Sequence, residues 1–249
     1  DKASFRRRIV ESLRDHGRPV LAIGGVGPPE VCIITGYDEG GDVLLGWSYF
    51  QGFPEFSAGV EAEPCGYFRK HDWFKGTQGL ILLGAKLPRP PAEAIFRRAL
   101  QWMVEGARTP RIRDFHTGHA AYEAWAEALL RDDEFPADSM DVLREHYRVH
   151  FAATGYVAEA RWYGSLFLKQ AARAVPAWAP ELDKAAACYV AEHDLMWAVW
   201  ELGGGNGMDD EKAKRLATRW ARERIVPLIR LARKEDAEAT AHIERALAI

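Results

Sequence analysis

The chain has few cysteines. Cys32, Cys65 and Cys188 are the only thiols among 249 residues, odd in number and far apart. That excludes a CxxC zinc knuckle and the even disulfide framework of a small secreted scaffold. Cys32 and Cys188 sit among apolar residues, where a cysteine ordinarily serves as a small buried hydrophobe. Long hydrophobic runs are also absent. No segment approaches the ~20 apolar residues that cross a bilayer, and no membrane partner is expected. The first apolar stretch follows a charged helix, without a signal-peptide core or a small-residue cleavage site, so a reducing cytoplasm is the expected compartment. Charge of one sign is lacking too. A formal net charge of −3 argues against general nucleic-acid binding. There is no internal repeat and no low-complexity tract. The first residue is Asp1 rather than methionine, which leaves room for residues upstream.

What is present is a chain with 48% apolar residues, enough to bury a proper core. Residues 3–16 place Phe5, Ile9, Val10 and Leu13 on one helical stripe that Gly17 ends. Val20 to Ile23 is a short apolar strand. Val31–Tyr37 and Asp42–Trp47 read as two strands joined by Asp38-Glu39-Gly40-Gly41, a β-hairpin whose glycines supply positive φ. Both runs are apolar almost throughout, which predicts strands covered on both faces. Residues 50–66 read as a structured loop. Two further strands are expected near Cys65–Arg69 and Gly79–Ala85, with a turn at His71-Asp72-Trp73-Phe74.

Three prolines crowd Pro88, Pro90 and Pro91, where a strand cannot continue and Pro91 suits the first position of a helix. The expected division is therefore a β-rich domain over 1–87 and a helical domain over 88–249. Helical periodicity covers 92–106, 117–131, 139–153, 156–174, 180–202 and 209–247. Gly155 and Pro176 punctuate it, and Pro227 is placed to kink the last helix. Six helices with short connections imply an antiparallel bundle. The expected fold class is α+β: a partial antiparallel sheet with one helix, then an all-α bundle.

Pro29-Glu30-Val31-Cys32-Ile33-Ile34-Thr35-Gly36-Tyr37-Asp38, followed by Val43-Leu44-Leu45-Gly46-Trp47, resembles the central hairpin of papain-like domains of the bacteriocin-processing peptidase class. The hairpin and the domain order together resemble the butirosin-biosynthesis H protein family, whose members join such a domain to a helical region. The resemblance covers about residues 18–50 by motif and implies acyl transfer from a carrier protein to an amine. That chemistry needs a thiolate, a histidine to deprotonate it, and an Asn or Asp to orient the ring. At the histidine's position this chain has Glu30. Near the orienting position it has Gly46, Trp47 and Ser48, and helix 3–16 holds no cysteine. The resemblance therefore implies a degenerate thiol site, with Glu30 and Cys32 as the remaining catalytic candidates. They are two residues apart and expected on one sheet face. A small amine, peptide or acyl-carrier substrate would then bind between the domains, with Tyr37 and Trp47 on the sheet side. The first alternative is an active cysteine enzyme whose nucleophile lies upstream of residue 1. The second is a non-enzymatic helical scaffold.

Other groupings carry weaker chemistry. His146 and His150 have the i,i+4 spacing by which a helix can offer two imidazoles to a metal, with Glu159 and Glu192-His193-Asp194 as further donors. No HExxH pattern supports this, so no metal is assigned. Thr117, in His116-Thr117-Gly118-His119, reads as a helix N-cap. Tyr147, Tyr156, Trp162, Tyr163, Tyr189, Trp197 and Trp200 make the bundle dense in aromatics. Their ordinary role is bulky core, and their functional one is a ligand pocket with Trp162, Glu192, His193 and Trp197 as substrate-binding residues, helped by Arg161 and Asp194. From Lys212 to Lys234 there are nine basic residues and one acid, Glu223. Leu216, Trp220, Leu228 and Leu231 form an apolar stripe there. Arg215, Arg219 and Arg222 lie on another face, a solvated cationic surface that would suit an acidic carrier protein. Gly24-Gly25-Val26-Gly27-Pro28 follows a strand, yet no helix follows it, so no phosphate loop and no cofactor is implied.

Overall fold

A computed structural model describes residues 1–249. The chain divides into two compact units, Asp1–Pro88 and Arg89–Ile249. The first opens with helix α1 (Lys2–His16), whose N-terminal Ser4 amide is capped by the Asp1 carboxylate. Six strands follow: β1 (Val20–Ile23), β2 (Val31–Asp38), β3 (Val43–Trp47), β4 (Val60–Ala62), β5 (Phe68–Lys70) and β6 (Gly79–Leu82). They form one antiparallel sheet in the order β4-β5-β3-β2-β1-β6. The β2–β3 turn is closed by Gly40 and Gly41 at φ 65° and 97°. Trp73, buried in a one-turn helix over Trp73–Lys75, donates its indole N–H to the Gly41 carbonyl at 3.2 Å and pins that turn.

Ile9 of α1 packs with Val20, Ala22, Cys32, Ile34, Leu44 and Phe68 to make the core of this unit. The covering is one-sided, contrary to the expectation from the apolar strands. Along β2 burial alternates, with Cys32 and Ile34 buried and Val31 and Ile33 exposed. Trp47, directly opposite Ile33, is exposed as well. The outer face is itself apolar, so the alternation that marks a one-sided sheet is invisible in the sequence. Strand β4, inside the segment read as a loop, is three residues long, too short for any periodic signal.

The second unit is helical: α2 (Ala92–Arg108), α3 (Gly118–Leu130), α4 (Met140–Ala174), α5 (Ala179–Gly203), α6 (Asp210–Ala217) and α7 (Arg219–Leu247). A two-residue-per-strand ribbon, β7 (Arg111–Ile112) with β8 (Phe115–His116), links α2 to α3. Helix α5 lies along both α4 and α7. No helix is long and apolar enough to cross a membrane.

Two boundaries differ from the periodicity. Gly155 does not break its helix; α4 runs through it for 35 residues. A helix-interior glycine costs about 1 kcal/mol relative to alanine, which packing on both sides of it outweighs. The expected helix 209–247 divides at Thr218, whose hydroxyl accepts from the Ala221 amide as N-cap of α7. The division resets the phase. The buried face of α7 is Ala221, Arg222, Ile225, Val226, Ile229 and Ala232, whereas Trp220 and Leu231 are exposed. Thr117 does stand at the start of α3, but its hydroxyl donates to the Thr109 carbonyl at 2.7 Å instead of capping.

Candidate functional site

The core of the helical unit is in two parts. One gathers Tyr122, Leu143, Met196, Ile225 and Ile229; the other gathers Leu100, Leu168, Trp178, Leu182 and Ile243. Between them, where α4, α5 and α7 carry apolar residues on either side, stand Arg161, Glu192 and Asp236. The Asp236 and Glu192 side chains are 2% and 0% exposed. Burying an ion costs several kcal/mol unless partners restore its hydrogen bonds, and an apolar layer would hold a bundle at least as well. A buried ionic layer therefore points to a role beyond holding the fold.

The partners are as follows. Glu192 Oε2 accepts from Arg161 Nε at 2.7 Å, and Oε1 accepts from the Tyr122 hydroxyl. Arg161 Nη2 donates to Tyr122 Oη at 3.1 Å, and the guanidinium lies 4.9 Å above the Tyr189 ring. Asp236 is different. Its Oδ1 is 3.0 Å from Arg161 Nη2 and its Oδ2 is 3.4 Å from His119 Nε2, yet neither oxygen accepts a well-directed hydrogen bond. The contact with Arg161 is thus electrostatic, and the lone pairs of Asp236 are unfilled.

The layer has two carboxylates for one guanidinium. Burial, with the Asp236 charge adding to it, pushes the Glu192 carboxyl up to about 8 although Arg161 opposes the shift. Burial likewise raises both phenols, Tyr122 and Tyr189, the nearby acids adding to its effect. Burial opposes the charge of Arg161, but the surrounding acids and phenols outweigh it and hold the guanidinium protonated.

A cleft of about 800 Å³ opens onto this layer between α2, α3 and α4. Its walls are apolar, with Trp102, Met103, Trp125 and Val157 beside Ala121 and Ala153, and its polar lining is Tyr122, Arg161, Tyr189 and Asp236. Gly118 is required where α3 starts at the cleft edge: its φ is +53°, and a Cβ there would collide with the Ala107 carbonyl oxygen.

A second cavity, of about 540 Å³, lies on the opposite side of α4. It brings together three of the residues expected to bind substrate, Trp162, His193 and Trp197. Glu192, the fourth, is in the ionic layer instead. Arg161 is there too, while Asp194 accepts from His193 Nδ1 at 2.9 Å on the exposed surface. Asp236 and Tyr122 are not among the residues that the sequence singles out. The one signal for Asp236 is a single acid on the stripe Ile225, Ile229, Ala232, Asp236, Ala239, Ile243, where an apolar residue is the rule.

The sheet candidates are placed apart. Glu30 is exposed at the entry to β2. Cys32 is fully buried; its thiol accepts from the Val26 amide at 3.2 Å and donates to the Val26 carbonyl at 3.3 Å. The thiol thus anchors the loop between β1 and β2. Tyr37 is half-buried against the inner core, and Trp47 lies on the outer face.

His150 is buried, and its Nδ1 accepts from the Trp125 indole at 3.2 Å. Burial depresses its imidazole to about 4. His146 packs edge-on against Phe135. Neither belongs to the only trio of potential ligands within reach of one ion, Cys188, Glu235 and Glu238. Arg222 is buried, donating to the Leu129 carbonyl and to Asp132 and lying over Phe135. The sequence placed it on a solvated cationic face. Of the three arginines expected there, only Arg215 and Arg219 are exposed.

Compared with models of known protein families and with curated proteins, the chain matches none.

Proposed function

We propose that this chain is a small-molecule-binding protein whose helical unit seats a primary amine with an apolar body. The single observation that carries the reading is Asp236: a buried carboxylate, unfilled at both oxygens, facing an apolar cleft of about 800 Å³. An ammonium group placed there fills those lone pairs. It also brings a second positive charge beside Arg161, which favours ionisation of Glu192, so that two carboxylates then face two cations. Tyr122 and Arg161 fix the floor around it, and the apolar walls, Trp102 and Trp125 among them, accept the apolar body.

The hairpin's resemblance to papain-like acyl-transferring proteins fits a ligand of this class, because the acceptor in such transfer is an amine. On that reading the chain is a relative with a degenerate thiol site. The burial of Cys32 and the exposure of Glu30 support binding rather than acylation by those two residues. The Cys188 thiol, pushed up to about 11 by burial first and by Glu235 and Glu238, is a poor nucleophile.

The test is calorimetry on the full chain with 2-phenylethylamine, 2-phenylethanol and 3-phenylpropionate. The amine binds, the alcohol binds about tenfold more weakly, and Asp236→Asn removes about tenfold or more of the amine affinity, as loss of a charged hydrogen bond requires. Carboxylate binding as tight as the amine's would mean that Arg161 rules the site, and would overturn the proposal.

A further inference from the structure

The second cavity has a chemistry of its own. It lies between α4 and α5, and its lining holds Phe151, Trp162, Trp197, Trp200 and His193 with one carboxylate, Glu159, and no lysine or arginine. Residues 154, 158 and 162 of α4 face it, whereas 153, 157, 160 and 164 face the cleft; the two sets fall on opposite sides of a helix with 3.6 residues per turn.

The aromatic rings are set as walls rather than packed flat. Trp197 and Trp200 meet at 86° with centroids 4.8 Å apart. His193 is tilted by 40° on Trp162 at 5.3 Å. The imidazole is fixed from two sides: its Nε2 accepts from the Trp197 indole at 2.8 Å, so its proton is on Nδ1, which points to Asp194.

Four aromatic rings elsewhere carry a guanidinium of the chain. Arg97 lies over Trp178, Arg161 over Tyr189, Arg222 over Phe135 and Arg224 over Trp220, all within 4.9 Å. No arginine or lysine covers Trp162, Trp197 or Trp200. Glu159 at the same cavity makes no ion pair with a cation of the chain. An aromatic wall with a free carboxylate beside it and no resident guanidinium has the composition of a cation receptor.

We infer that the basket formed by Trp162, Trp197, Trp200 and Glu159 is a second binding site, for an organic cation of the methylated-ammonium class. Such cations have no N–H to donate, so they need ring faces and a nearby negative charge rather than hydrogen-bond acceptors. That requirement separates this site from the cleft at Asp236, and the inference does not depend on the amine assignment made there.

The experiment compares choline with its uncharged carbon isostere, 3,3-dimethylbutan-1-ol, titrated into the full chain and followed by calorimetry and intrinsic tryptophan fluorescence. Choline is expected to bind about tenfold more tightly than the alcohol and to change the tryptophan emission. Trp197→Leu abolishes that binding. Glu159→Gln, on an exposed side chain that leaves folding intact, weakens choline several-fold and leaves the alcohol unchanged. Asp236→Asn has no effect on choline. Equal binding of choline and its isostere would reduce the basket to a plain apolar pocket and overturn the inference. So would choline binding that is lost in Asp236→Asn but kept in Glu159→Gln, or no choline binding at roughly 10 mM.

Discussion

At Glu192, burial and the Asp236 carboxylate both oppose ionisation, and the Arg161 guanidinium only partly offsets them. With its carboxyl pushed up to about 8, the side chain is mostly protonated at neutral pH while the cleft is empty. An ammonium arriving at Asp236 brings a second positive charge into the layer and favours the Glu192 carboxylate. Amine binding is therefore expected to release about one proton per molecule near pH 7. Calorimetry in two buffers of different ionisation enthalpy measures this directly. Glu192→Gln, which keeps one acceptor for Arg161 and cannot titrate, is expected to remove the buffer dependence. A wild-type heat independent of buffer would show that the layer is not coupled to the ligand in this way. The same chemistry sets the cost of unbalancing the layer. Arg161→Met leaves two buried acids without their cation, and chemical denaturation should show a loss of about 3 kcal/mol or more.

Helix boundaries are legible in the sequence wherever the signal is a cap or a glycine followed by a turn, and illegible where packing overrides propensity. Lys2–His16 and the β2–β3 hairpin can be read from their apolar stripe and turn glycines. Gly155 misleads because a lone glycine looks like a stop, although the helix around it is held by neighbours on both sides. Thr218 is hidden because the charged, apolar-studded stretch after it continues the same rough periodicity. The site follows the same division. Arg161, Glu192, Trp162, His193 and Trp197 stand out by residue type. Their separation into two cavities depends on the rotation of α4, which residue types alone do not carry. Asp236 escapes notice because an acid on an amphipathic helix is ordinary until the buried face is known. Opposite forecasts follow for two glycines. Gly155 is exposed and helical, and a Cβ added there would meet no atom within 4 Å, so Gly155→Ala should stabilise the protein by about 0.5–1 kcal/mol. Gly118→Ala forces both a left-handed φ and a clash with the Ala107 carbonyl, and should cost about 2 kcal/mol while narrowing the cleft. Thermal melts of the two variants decide the matter.

Over the whole molecule, two buried groups with opposite shifts shape the dependence of stability on pH. The native Glu192 carboxyl titrates at about 8, against 4.5 for an unperturbed glutamate. The native state then holds a proton that the unfolded chain releases, so stability falls as pH rises from 4.5 to about 8. His150 is the converse, with a native value of about 4 against 6.5. Here the unfolded chain takes up a proton that the native state refuses, and stability falls as pH drops from 6.5 to about 4. Between 4.5 and 6.5 the two slopes cancel, leaving a plateau; from 6.5 to 8 only Glu192 acts. The remaining shifted groups lie outside this window. Glu181, held down to about 2 by hydrogen bonds from Arg245 and His242, acts below 4.5, and Cys188 acts above 9. One proton contributes about 1.4 kcal/mol per pH unit, so the decline from pH 6.5 to 8 amounts to about 2 kcal/mol, or several degrees in melting temperature for a chain of this size. Glu192→Gln removes the alkaline decline and leaves His150 unopposed, so the variant should gain stability from pH 4.5 to 6.5 and then stay level to 8. A wild-type melting temperature that does not fall between pH 6.5 and 8, or a variant that falls alongside it, would mean that the carboxylate between the two halves of the core is already ionised at neutral pH.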